Sequence, residues 1–523
     1  MVTVAASKFL GLIRDRLLVH TFTPDQTAIF LAAFRLPDLI FQLMIVGAVS
    51  VAFIPIFTDY LHHKNEEQAF DFASDVLNTV LLFFTIFSLL AIIFAFPLTG
   101  LIVPGFSASQ RDLTAGLTRV IFLGQVLLVI GAFFASIGQA YQRFIVPALA
   151  AMFYNVGIIL GILLLSPSVG IYGPAFGVII GALLHVAIQL PLISALNFRH
   201  KFRLNFFSEG IKEVWGMMSI RTIGVAVEQI NETVGVVLAS LISASSVTYL
   251  TFAQHLQTVP IGLFGATLAQ AALPVLATER AKGETESFKA TLLTTMHQIM
   301  FLSLPATAML IVLRRPAVRL VFGASQFDWT STELTGKTVA FLAIGLAAQS
   351  VAMLLVRGFY ALKDTRTPLI VSLISVSLNI ILSLLFVRWL QLGVWSLGLS
   401  YAIASNLSLL LLLAFLNQKV GGFSWRELFA PEAKMGFAAA VSALALYLPA
   451  KALDQPSILN TQRVINLIAL TGIASLFGLS VYLLLVWALR VRELETFGGL
   501  LKKLYRMPFN VKSQEMVQEP ESI

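Results

Sequence analysis

Polar breaks divide this chain into a succession of apolar runs, each about as long as a bilayer is thick, and that pattern constrains the fold more than any other feature. A helix needs roughly 20 mainly apolar residues to cross a membrane. Fourteen such runs are readable, at 4–22, 27–58, 72–103, 113–141, 146–166, 170–196, 212–241, 247–276, 289–314, 333–360, 368–389, 394–417, 433–452 and 463–489. With 58% hydrophobic and 12% charged residues, the chain has too few charges to cover a water-facing surface. A soluble enzyme, a disordered scaffold and a secreted disulfide domain are excluded together. Cysteine is absent, which removes thiolate metal sites and thiol nucleophiles. The first run is the weakest, because it carries Lys8, Arg14, Asp15 and Arg16.

Loop charge sets the expected orientation. A net charge of +8 in a membrane chain points first to cytoplasmic loops, not to nucleic acid. With the N-terminus inside, most Lys and Arg fall in cytoplasmic connections, including the clusters RHKFR (199–203), ERAKG (279–283) and KDTRT (363–367). Arg314, Arg315 and Arg319 run against this assignment. Both termini are therefore expected in the cytoplasm of a multi-pass protein. No cleavable leader is expected, and the last residues read as a polar, disordered tail.

Prolines reveal an internal repeat. Pro55, Pro97 and Pro147 are spaced by 42 and 50 residues, and Pro274, Pro316 and Pro368 by 42 and 52. The offset between the sets is 219, 219 and 221. Asn155 matches Asn379, GIYGPAFG (170–177) matches GVWSLGLS (393–400), and SKFLG (7–11) has a counterpart in SIRTIG (219–224). The unit holds six helices, an even number, so both copies enter the membrane in the same direction. The expected fold is an all-α integral membrane protein of about fourteen transmembrane helices. Two parallel, pseudo-symmetric six-helix lobes surround a central cavity, and two further C-terminal helices lie outside the repeat. The expected divisions are 1–200 and 201–420 for the lobes, 421–490 for the added helices and 491–523 for a cytoplasmic tail. Two lobes rocking about a cavity describe an alternating-access transporter better than a channel.

Ionisable residues inside spans are costly and face a cavity or a partner, so each is a functional candidate. The first two spans supply Lys8, Arg14, Asp15, Arg16 and Arg35; the second lobe supplies Arg221, Glu228, Glu232 and His255. Under the repeat, Lys8 aligns with Arg221 and Arg35 with His255. A cationic patch for an anionic headgroup is the functional reading, since arginine pairs with phosphate oxygens in a fixed fork. Snorkelling near a helix end, with Arg14–Asp15 or Arg16–Asp25 as structural pairs, is the plain one. His255 has the side-chain type whose charge responds near neutral pH. Glu228 and Glu232, one helical turn apart, are expected to pair with Arg221 or His255, bind a cation or carry a proton. No zinc-protease motif and no phosphate loop is present, so no catalytic residue, cofactor or metal site is expected.

The strings SKFLGLIRDRLL (7–18), FRLPDLI (34–40), GAVSVAFIPIF (47–57), AYQRFIVPALAAMFYNVGII (140–159), EQIN (228–231), TFAQHLQTVP (251–260) and GFYALKDTRTP (358–368) together resemble the MurJ/MviN family of lipid II flippases. These belong to the multidrug/oligosaccharidyl-lipid/polysaccharide exporter superfamily, and the resemblance covers all twelve repeat helices. It implies export of undecaprenyl-pyrophosphate-linked peptidoglycan precursor from the inner to the outer leaflet of a bacterial cell membrane. The implied partners are that lipid and the surrounding membrane, with the chain working as a monomer. It implies pyrophosphate contacts from Arg14, from Lys8 where arginine is usual, and from His255 where arginine is again usual, here preceded by Gln254. The family's second-helix arginine is missing near Phe41 and Gln42, so Arg35 or Arg221 is expected to compensate. Of the carboxylates that hold sodium in some members, Gly235 and Ser383 occupy two positions, leaving only Asn379. A flippase for another polyprenyl-linked glycan, a cation-coupled exporter using Glu228 and Glu232, and a noncatalytic scaffold are the alternatives.

Overall fold

The computed structural model describes residues 2–46, 52–206, 208–323, 325–455, 461, 463–497 and 499, and no strand occurs among them. In chain order the long helices are α1 (Val2–Thr21), α2 (Pro24–Ile45), α3 (Glu66–Ile93), α4 (Ala108–Ala140), α5 (Ile145–Val169), α6 (Tyr172–Ala195) and α7 (Glu209–Ile242). There follow α8 (Ala244–Ala281), α9 (Thr285–Val312), α10, the pair Trp329–Ala343 and Leu346–Ala361 bent by 44°, α11 (Arg366–Trp389), α12 (Trp395–Lys419), α13 (Trp425–Leu453) and α14 (Val464–Ala488). All except α1 are long and apolar enough to cross a membrane, α10 with its two bent halves taken as one span. Their outward faces carry residues such as Leu101, Leu164, Ile381 and Leu484, each more than half exposed, as a lipid-facing surface requires. The chain is a multi-pass membrane protein. α1 is helical over the expected stretch, and of its charges Asp15 is buried at 1% exposure, Arg14 and Arg16 are part-buried and Lys8 is exposed.

Local chemistry sets several helix starts. Thr23 and Gln26 form a capping box at α2, and Ser107 and Gln110 form another at α4. One expected span stops well short of its apolar run, and a second ends at a matching break. The run 72–103 breaks at Phe94, and a short helix, Ala95–Ile102, carries Pro97. The run 289–314 likewise stops at Leu313, before the short helix Arg314–Phe322 with Pro316. Hydropathy does not register the break at Phe94 because both sides are apolar, whereas Leu313 is followed by Arg314 and Arg315, where the run itself ends. In both places proline, lacking an N–H, fits the first turn of a new helix.

The repeat is visible in backbone detail. Phe94 has φ −92° and ψ 18°; Leu313, 219 residues on, has φ −91° and ψ 20°. Gln142 and Lys363 both adopt φ +59°. π-helical turns recur at Gln42–Val46 and Ile261–Ala266, and again at Gly161–Leu165 and Leu385–Trp389. Packing repeats as well: α1 on α5, α2 on α4, α3 on α4, α4 on α6 and α5 on α6 correspond to α7 on α11, α8 on α10, α9 on α10, α10 on α12 and α11 on α12. α13 and α14 pair with each other, α13 against α9 and α14 against Arg314–Phe322. The lobes touch mainly where α2 meets α8, where α1 meets Arg314–Phe322, and where α7 meets the C-terminal turn of α2, Ala95–Ile102 and α3, with a smaller contact of α1 on α8.

Between the lobes, residues 197–206 are held down on α3. Arg203 grips Asp75 at 2.7 and 2.8 Å and Asp71 at 2.8 Å, while Lys201 reaches Asp71 at 2.6 Å and Glu67 at 3.1 Å. These hydrogen bonds hold both cations above their ordinary pKa values. The tail beyond 499 lies outside the described residues.

Candidate functional site

Where the lobes meet they enclose a cavity of about 420 Å³. α1, α2 and α5 line it from one side, and α7, α8, α10, α11 and α12 from the other. An adjoining space of about 270 Å³ opens between α2 and α7, bounded by Arg35, Asp38, Gln42, Glu228, Gln229 and Glu232.

Arg14 sits on the wall of the main cavity, one-fifth exposed. Its Nε and Nη2 donate to Asp15 Oδ1 at 3.0 and 2.8 Å, and its Nη1 donates to Asn155 Oδ1 of α5 at 3.2 Å. The other oxygen of Asp15 meets His255 Nδ1 of α8 at 2.6 Å. One buried carboxylate thus joins a cation of the first lobe to an imidazole of the second. A charge taken out of water is tolerated only with such partners.

Arg35 enters the same cavity from α2 and reaches across to α7. It donates to Thr233 Oγ1 at 3.2 Å, to the carbonyl and side-chain oxygens of Gln229 at 3.3 and 3.2 Å, and to Glu232 Oε2 at 2.9 Å. Asn379 of α11 donates to Asn231 Oδ1 of α7 at 2.7 Å, and Ser383 hydrogen-bonds Ser400 at 2.6 Å. Asn155 and Asn379, matched by the repeat, therefore each tie the fifth helix of their lobe to its first.

Several expectations are corrected by this geometry. Arg16 does not pair with Asp25; it donates to the Leu320 carbonyl at 2.6 Å, linking α1 to Arg314–Phe322. Glu232 pairs with Arg35, not with His255, and Glu228 borders the adjoining space. Lys8 is exposed and lies off the cavity wall, its Nζ 3.4 Å from the Thr258 carbonyl, one turn along α8 from His255. Arg221 is on α7, but its side chain lies outside the described residues. Both cavity arginines are matched by carboxylates, Asp15 and Glu232, and Asp38 adds a third, so the wall is not the cationic patch that the sequence suggests. Gly235, Asn379 and Ser383 all line the main cavity, and no group of three or more metal-ligating side chains occurs among the described residues.

Asp38 was missed as a candidate. It lines both spaces and accepts a hydrogen bond from Gln125 of α4 at 3.2 Å. Its signal was available: a carboxylate three residues after Arg35 inside a span meets the rule that selected the others. Tyr154, Gln349 and Tyr401 are also on the wall, and nothing in their local sequence separates them from core residues.

A family model described as lipid II flippase MurJ matches residues 22–461. The chain belongs to the lipid II flippase MurJ family. A protein of Bdellovibrio bacteriovorus named probable lipid II flippase MurJ is 27% identical over 449 residues, covering 84% of this chain and 85% of that one. A solved structure of lipid II flippase MurJ in an inward closed conformation matches with a TM-score of 0.77 at 24% identity, covering 97% of this chain and 99% of that one. A multidrug resistance MATE family transporter of the MOP superfamily, inward-facing, matches with a TM-score of 0.67 at 14% identity, covering 79% and 94%. These two likenesses concern the fold. The MurJ family and the paired six-helix lobes agree on a membrane transporter.

Proposed function

We propose that this chain is a lipid II flippase, moving undecaprenyl-pyrophosphate-linked peptidoglycan precursor from the inner to the outer leaflet by alternating access. The observation that carries this reading is the cavity between the lobes, where Arg14 and His255 meet on one buried carboxylate. An amphiphile enters sideways, its headgroup in the cavity and its polyprenyl tail in lipid. Arg14, His255 and Arg35 receive the pyrophosphate, with Lys8 and Arg221 along the approach. The diphosphate displaces carboxylate partners from the arginines, because a bidentate phosphate contact replaces what each arginine gives up. Rocking then exposes the headgroup outside, driven by unequal binding to the two states. Residues 1–200 and 201–420 act as the rocking lobes, 421–490 as an accessory pair and 491–523 as a tail. Both termini lie in the cytoplasm of a bacterial cell membrane, following the loop charges, and the monomer is the working unit.

A cation-coupled exporter is the second reading, favoured by the carboxylates Asp38, Glu228 and Glu232 around the space between α2 and α7. Glu228, Glu232 and Asn379 are its coupling residues. The deciding experiment is complementation of a bacterium depleted of its own MurJ, with Arg14→Ala beside the native chain and membrane levels matched. Rescue by the native chain alone supports flipping through this cavity. Rescue by both variants removes Arg14 from the site, and failure of the native chain at full expression counts against lipid II as the substrate.

A further inference from the structure

We propose that His255 and Asp15 form a proton-binding latch between the lobes, so that the cycle proposed above is coupled to a proton. Asp15 is on α1 and His255 on α8, and their 2.6 Å contact joins the first helix of one lobe to the second helix of the other. Rocking that parts α1 from α8 must break it. A proton on His255 turns the contact from a hydrogen bond between a neutral imidazole and the carboxylate into an ion pair, and parting the lobes would then strand an imidazolium, since Asp15 stays with Arg14. The protonated form therefore favours the joined arrangement, and loss of the proton frees the lobes. Joining takes up a proton and parting releases one, with no other chemistry needed.

The surroundings suit the role. His255 is one-third exposed on the cavity wall, open to proton exchange, while Asp15 is 1% exposed and fixed by Arg14. Of the helices packed against α8, α1 presents Arg14 and Asp15 to the imidazole, with Lys8 one turn away. α2 presents Arg35 and Asp38, and α7 presents Glu232. Arg35 and Glu232 already neutralise each other. α10 and α12 bring Gln349 and Tyr401 to the wall. Asp15 is thus the carboxylate in direct contact with His255.

The chain has no cysteine, so two can be introduced without removing any. Spin labels at Gln142→Cys and Lys363→Cys, on repeat-matched turns of opposite lobes, report the interlobe distance in nanodiscs without any lipid II. The expected result is that the joined population grows as pH falls from 8 to 5. One linked proton changes the ratio by up to about tenfold per pH unit. His255→Gln and Asp15→Asn should each abolish the response, the first keeping a hydrogen-bond donor and the second the shape of the carboxylate. An unresponsive native chain, or a response that survives in His255→Gln, overturns the latch. A pH response lost in both variants supports it even where complementation by the native chain fails, because the distance is read without substrate.

Discussion

At the scale of single residues, the cavity works by sharing. Arg14 and Arg35 are each bound to a carboxylate, yet Arg14 is paired within its own lobe while Arg35 pairs across to the other. This makes Arg35 a clamp as well as a candidate headgroup contact. Its partner Glu232 is almost half exposed, so the ion pair itself contributes modestly. A double-mutant cycle of Arg35→Ala and Glu232→Ala, read by thermal unfolding in detergent, should give a coupling energy of about 1 kcal/mol or less. A coupling several times larger would mean that the pair is shielded from water as tightly as Asp15. The individual charges were legible from the sequence because a charge inside an apolar run stands out. Their pairings were not. Arg35 and Glu232 are separated by 197 positions, and which carboxylate meets which cation depends on lobe docking, which no local pattern encodes.

At the scale of elements, close helix packing and capped turns hold the lobes in shape. α5 crosses α6 with backbone nearly touching backbone: a Cβ built on Gly157 would fall 2.2 Å from the Gly181 Cα. Small residues permit this approach between membrane helices. Gly181→Leu should therefore lower stability by about 1–3 kcal/mol or more, seen as a lower unfolding temperature of the solubilised protein. An unchanged temperature would contradict the packing. The turn into α11 offers a second test. Asp364 accepts from the Arg366 and Thr367 amides at 3.0 and 3.1 Å and from Lys419 at the end of α12. Burial pushes its carboxyl up, but the hydrogen bonds from Lys419 and Thr367 prevail and hold it at about 2. A depressed carboxylate stabilises the fold above its unfolded value near 3.9 and loses that contribution as pH falls toward the folded one. Asp364→Ala should cost about 1–3 kcal/mol at neutral pH, with the gap from the native chain closing between pH 4 and pH 2. Proline spacing revealed the repeated elements in the sequence. The break at Phe94 was hidden, because apolar residues flank it, whereas Arg314 and Arg315 mark the one at Leu313.

At the scale of the whole molecule, the account rests on two lobes that repeat the same packing and meet around one polar space. That architecture was readable from the repeat alone, since an even number of helices per unit fixes parallel lobes and a cavity between them. What the sequence hid is that each cavity arginine already has a carboxylate partner and that residues 197–206 are stapled to α3. The central claim is that a diphosphate lipid crosses through this space. Its most direct test is a reconstituted flux measurement: purified chain in liposomes holding lipid II labelled with a fluorophore on its peptide, with a quencher added outside. The account predicts that the native chain lets inner-leaflet lipid reach the quencher and that Arg14→Ala, equally reconstituted, does not. Quenching by the native chain that stops at the outer-leaflet fraction, as in protein-free vesicles, would contradict it.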